Sequence, residues 1–198
     1  MIELIQDRAS IKRALLIGWE QEGHSGVISD ANCAYTLTPA VRLKVRHLRK
    51  FANRPAAVNM LLRTAQVPGR WEDGNFVSGD ELIETDSLGD QDGPLTITFH
   101  DAVTDAPVGV RAVGTNLQSC THREFTGVVN GYDMGGAITQ RRSLGNSNAN
   151  AGTAIFIGLA SDVAEIQRIE FRTTNIVEDG HASFDALGFA INQLSVRL

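Results

Sequence analysis

The chain has 198 residues, of which 42% are hydrophobic and 21% charged, a globular composition large enough for one domain with a real core. Its formal net charge is −5, unevenly spread: residues 1–70 hold 11 Lys/Arg against 5 Asp/Glu, and residues 71–198 hold 7 against 18. A short basic part beside an acidic remainder lacks the domain-wide footprint of a nucleic-acid binder, and no apolar run is long enough for a membrane-spanning helix.

Nineteen glycines and several Asn/Asp/Gly clusters predict many turns between short strands. The apolar run from Ala14 to Trp19 is too short for a signal-peptide core, so the chain as given is expected to lack one. ALLIGWEQ reads as a buried first strand with Trp19 in the core. After the turn-rich HSGVISDANC, strict alternation starts at Val41. Val41, Leu43 and Val45 point one way, while Arg42, Lys44 and Arg46 form a basic ladder on the other side. The segment AAVNMLLRTAQ fits either a short helix near 56–66 or an irregular edge strand.

Between Trp71 and Asp92 stand eight carboxylates and no base. Then LTITF (95–99) alternates as a strand, DAVTDAP is turn material, and VGVRAVGTNL (108–117) is a strand interrupted by glycines. A hairpin follows. Its turn is placed at Asp133-Met134-Gly135-Gly136 rather than Asn130-Gly131, because that choice leaves balanced runs at 124–132 and 137–144. GNSNANAG is a loop and TAIFIGLAS a central strand. AEIQRIEFR alternates imperfectly through Ile166, Ile169 and Phe171, and FDALGFAINQLSVRL closes the chain as one long strand. Eight or nine strands at this spacing predict an all-β fold: a two-sheet antiparallel sandwich, jelly-roll-like, spanning 1–198 as a single domain. An immunoglobulin-like sandwich is disfavoured, since the only tryptophan between Cys33 and Cys120 is Trp71 in the acidic loop.

The blocks WEDGNFVSGDELI, GPLTITF, GTAIFIGLASDVAEIQRIEF and GFAINQLSVRL, in that order, resemble a β-sandwich domain of bacterial surface and secreted proteins, of the kind carrying a PEP-CTERM sorting tail. The likeness runs from Trp71 to Leu198, with a looser echo at IGWEQEG. It implies a jelly-roll module shaped like lectin and carbohydrate-binding domains, an extracellular or cell-surface setting, and a mostly unassigned role. The basic segment from Arg42 to Lys50 departs from that pattern.

The resemblance also implies a structural calcium ion held by the first and last strands, which need oxygen ligands. The matching positions are Glu20 or Glu22 and Asn192, where relatives often carry an aspartate. The acidic stretch supplies further candidate oxygens at Asp73, Asn75, Asp80 and Glu81, or at Asp90 and Asp92, without forming an EF-hand loop. For a glycan or surface polymer, Trp71 beside Asp73 and Asn75 is the best platform that the few aromatics allow. An enzyme is not expected: GHSGV is not G-x-S-x-G, Cys120 and His122 lack a third group, and the five histidines follow no metal-binding spacing. Self-association is the rival reading, with the basic strand of one copy meeting the acidic loop of another.

Overall fold

Alternation sets the strands, and each strand's apolar side finds the interior. In the computed structural model, residues 1–19, 26–28, 34–51, 54–58, 60–64, 76–77, 79–85, 92–119, 124–146, 154–175 and 188–198 are described. They form β1 (Glu3–Ile5), β2 (Leu15–Ile17), β3 (Gly26–Ile28), β4 (Ala34–Thr38), β5 (Val41–Phe51) and β6 (Arg54–Val58). Next come β7 (Met60–Thr64), β8 (Glu81–Thr85), β9 (Asp92–Asp101), β10 (Ala112–Ser119) and β11 (Glu124–Tyr132). The last are β12 (Ile138–Asn146), β13 (Ile155–Ala160), β14 (Arg168–Asn175), β15 (Phe189–Ile191) and β16 (Leu194–Arg197).

These strands make two antiparallel sheets. The first runs β1-β13-β10-β15-β8-β7-β3, with β16 also on β10 and β2 on β16. The second runs β12-β11-β14-β9-β5-β4, with β6 on β5. Leu43, Val45, Ile97, Phe99, Ile169 and Phe171 of the second sheet share one core with Val113, Leu117, Ile157, Leu159, Phe189 and Ile191 of the first. The chain is therefore the two-sheet sandwich that the alternation predicts. Each large side chain buried this way contributes about 1.5–3 kcal/mol.

The outward face of the first sheet is covered in two places. Ile11, from the segment after β1, packs on Ala112 and Phe156. Phe76 packs on Leu82, Ala154 and Ala190. Gly114 and Gly158 face each other across β10 and β13, and the Phe156 ring lies where a side chain on Gly114 would stand.

Several expectations are corrected. Of the two readings kept open near 56–66 the strand holds among the described residues and the helix does not: β6 and β7 occupy it, with β7 between β3 and β8 rather than at an edge. Ladder bonds on both sides of β7 outweigh the local helical spacing. Sixteen strands are present among the described residues instead of eight or nine, because three-residue strands such as β1 and β3 are too short to show a period; the strand expected in ALLIGWEQ is β2, which comes second and leaves Leu15 and Leu16 exposed. The last strand is not continuous. It breaks at Asn192-Gln193 into β15 and β16. The hairpin turn lies where expected: Asp133 Oδ1 accepts from the backbone N–H of Gly135 (2.8 Å) and Ala137 (2.9 Å), and Gly136 takes φ +80.

Candidate binding cleft on the first sheet

The break in the last strand builds the site. Ile191 pairs with Leu117 and Ser195 with Gly114, so residues 192–194 stand opposite only Thr115 and Asn116. This one-residue bulge flips the side-chain parity: Phe189 and Ile191 face the core before it, and Leu194 and Val196 after it. Asn192 is left pointing away from the core.

Asn192 is bonded at every polar atom. Its carbonyl oxygen accepts from the buried Trp19 indole Nε1 at 2.6 Å and from Thr115 Oγ1 at 3.1 Å. Its backbone N–H donates to Asn116 O at 3.2 Å, and its Oδ1 accepts from Asn116 N at 3.2 Å. Its Nδ2 donates to Asp80 Oδ2 at 2.9 Å.

Arg8 reaches the same point from the 3₁₀ turn Arg8–Ser10. Asp7 caps that turn by accepting from Ala9 N at 3.1 Å. Arg8 Nη2 donates to Asn116 Oδ1 at 2.8 Å and to Asn192 Oδ1 at 3.1 Å, while Nη1 donates to Gln193 Oε1 at 3.3 Å. Burial lowers the Arg8 pKa and the nearby Asp80 carboxylate raises it again; the guanidinium stays charged at neutral pH. Arg8, Asp80, Asn116 and Asn192, together with Phe76, Val77 and Ala154, line a cleft of about 160 Å³. That is room for several waters or one small polar unit.

Two of the expected metal ligands, Asp80 and Asn192, thus meet, but not as a converging set of oxygens. Asp80 faces the amide N–H of Asn192, and the amide oxygen faces a guanidinium. The positive charge in the cleft belongs to Arg8. Glu20, Glu22, Trp71, Asp73, Asn75 and Asp90 lie outside the described residues, as do Cys33, Cys120 and His122. Asp92 opens β9, where its main chain pairs with Arg49. Among the described residues, no three His, Cys, Asp or Glu side chains are grouped to hold a metal ion, and no helix is long and apolar enough to cross a membrane.

No protein-family model matches the chain, and no curated protein matches it. Among solved structures it is similar to a DUF4465 family protein from Bacteroides caccae, at 10% identity and a TM-score of 0.48, over 94% of this chain and 100% of that one. A likeness at that level carries no argument about the site.

Arg8 and Asn116 were not singled out by sequence patterns. The parity change between Ile191 and Leu194 is visible in FAINQLSV, and it marks the bulge that brings them together. The basic ladder finds an acid within its own chain: Asp105 Oδ1 pairs with Arg42 at 2.7 Å and Oδ2 with Lys44 at 2.8 Å. Those bonds, Lys44 first, hold the Asp105 carboxyl down at about 2. Asp105 itself sits at φ 61, a left-handed conformation that Asp tolerates.

Proposed function

We propose that this chain is a non-catalytic binding module whose cleft takes a hydroxyl-rich unit, one sugar residue of a glycan. The observation that carries the reading is the convergence of four planar polar side chains, Arg8, Asp80, Asn116 and Asn192, at one small opening on a sheet face. Sugar hydroxyls donate and accept at once; Arg8 and Asp80 bring a guanidinium and a carboxylate to the opening, and the Asn116 and Asn192 amides, engaged within the frame, hold them in place. That frame is pre-ordered by the bulge, so little entropy remains to be lost on binding.

A hydrolytic reading has less support. Glycoside hydrolysis uses two flanking carboxyl groups, and the described lining of the cleft offers one, Asp80. Among the described lining residues there is also no hydroxyl or thiol nucleophile beside a base. Display at the cell surface rests on the sequence resemblance alone.

Calorimetric titration with a panel of neutral mono- and oligosaccharides tests the proposal. At least one saccharide should bind the wild type, and Arg8→Ala and Asp80→Ala should each weaken it by about tenfold or more, about 1.4 kcal/mol. Binding that is equal in all three proteins, or absent from the wild type across the panel, would remove the cleft from consideration.

A further inference from the structure

The outward side of the second sheet collects positive charge on a chain whose net charge is −5. Antiparallel register aligns its side chains in rows. One row crosses five strands as Arg46, Thr96, Glu170, Asn130 and Gln140. The next runs Lys44, Thr98, Arg168 and Tyr132, and Arg42 with His100 begins a third. Arg172, opposite Val128, adds a further guanidinium on the same side. Against Arg42, Lys44, Arg46, Arg168 and Arg172 stand three described acids: Glu170, 3.6 Å from Arg168, and at the rim Asp105, paired with Arg42 and Lys44, and Asp101 near Arg42.

The polar groups here are held in place. Tyr132 Oη donates to Glu170 Oε2 at 2.7 Å, and Gln140 Nε2 donates to Asn130 Oδ1 at 2.9 Å. The Arg168 guanidinium lies 3.5 Å from the Tyr132 ring centroid. Arg46 and Gln140 are exposed, the other cations are half-buried, and Thr96 and Val128 on the same side are buried beneath them. Among the described residues, the two apolar clusters that cover an outer sheet face both lie on the first sheet.

From this arrangement we propose that the outward face of the second sheet binds an acidic polysaccharide, a polymer carrying a carboxylate on its sugar units. Spacing favours that occupant. Cations on alternate residues of β5 stand about 6.7 Å apart, and neighbouring strands about 4.8 Å apart. One charge per sugar suits such a lattice, whereas duplex nucleic acid presents one phosphate per about 1.7 Å of axis and meets a chain that is acidic as a whole. The amides among the cations, Asn130 and Gln140, give the sugar hydroxyls partners of their own. This surface is on the opposite layer from the cleft, so it stands or falls independently of it.

Affinity electrophoresis and calorimetry with polygalacturonate, neutral dextran and duplex DNA provide the test. Polygalacturonate should bind, any dextran binding should be the same in the wild type and in the double variant below, and polygalacturonate binding should weaken as salt rises from about 50 to about 500 mM. The double variant Arg46→Glu/Arg172→Glu should lose at least about tenfold in affinity, and the milder Arg46→Gln a smaller part of it. Arg8→Ala should bind polygalacturonate as the wild type does. Dextran binding lost in the double variant, tighter binding of DNA, or full affinity for polygalacturonate in the folded double variant would each overturn the proposal, as would polygalacturonate binding lost on Arg8→Ala alone.

Discussion

The Trp19 indole donates to the main-chain oxygen of Asn192 at 2.6 Å, a bond between residues 173 positions apart that ties the end of β2 to the bulge. Trp19 is fully buried and packs edge-on against Tyr35, with ring centroids 5.4 Å apart. One side chain therefore serves the core with its rings and the cleft with its N–H. Trp19→Phe keeps most of the packing and removes the donor, while Thr115 Oγ1 still satisfies the oxygen. The expected cost is about 1 kcal/mol in urea unfolding, against about 3–5 kcal/mol for Trp19→Ala. Equal losses in both variants would mean that the bond has no separate value.

Arg8 binds through a fork, and charge alone should not replace it. Arg8→Lys retains the cation but cannot reach Asn116, Asn192 and Gln193 together. It is expected to behave like Arg8→Gln, with stability lower by about 1–2 kcal/mol. Full stability in Arg8→Lys, measured by the same unfolding assay, would show that the guanidinium geometry is immaterial.

Asp105 predicts an acid dependence. Its carboxyl is depressed to about 2 in the folded chain, below the ordinary value of about 3.9. A depressed carboxyl stabilises the fold above its unfolded pKa, and the contribution fades as pH falls through the folded one. The urea midpoint of the wild type should therefore exceed that of Asp105→Asn above about pH 5 and converge with it near pH 2. Because Asp105 is exposed, salt should shrink the gap. A gap that widens on acidification would reverse the sign of this argument.

Gly158 and Gly114 differ in what a methyl group would strike. At Gly158 it would meet backbone, Val113 O at 2.5 Å and Gly114 Cα at 2.6 Å. At Gly114 the nearest atoms belong to the Phe156 ring, at 2.7 and 2.9 Å, which can turn aside. Gly158→Ala should cost about 2–3 kcal/mol and Gly114→Ala about 1 kcal/mol. The reverse order in thermal unfolding would contradict the packing described for β10 and β13.

Calcium addresses the cleft directly. Since Arg8 already supplies the charge beside Asp80 and Asn192, any shift in melting temperature between calcium and EDTA should be the same in the wild type and in Asp80→Asn. A calcium response that disappears in Asp80→Asn would place the ion in the cleft.

Fold class was legible because Leu43 and Val45, Leu95, Ile97 and Phe99, and Ile169 and Phe171 repeat every second residue, and burial enforces that period. The turn at Asp133 was legible for a local reason, an aspartate able to cap its own loop ahead of a glycine. The cleft was half legible. Asp80 and Asn192 carried suitable chemistry, but their meeting depends on tertiary pairing across 112 positions. Arg8 had no signal at all: its partners lie 108 and 184 residues away, and nothing in a short window encodes them.

The extra residue at Asn192-Gln193 also acts as a phase marker for the end of the chain. Losing one residue there would let β15 and β16 run as one regular strand, with Ile191, Leu194 and Val196 still facing the core, but it would remove the bulge that positions Asn192 beside Arg8 and Asp80. Segment length at this point is thus more tightly constrained than the identity of Gln193. A substitution there can be absorbed, whereas a single-codon deletion would keep the core contacts of the carboxyl-terminal strand and dismantle the cleft.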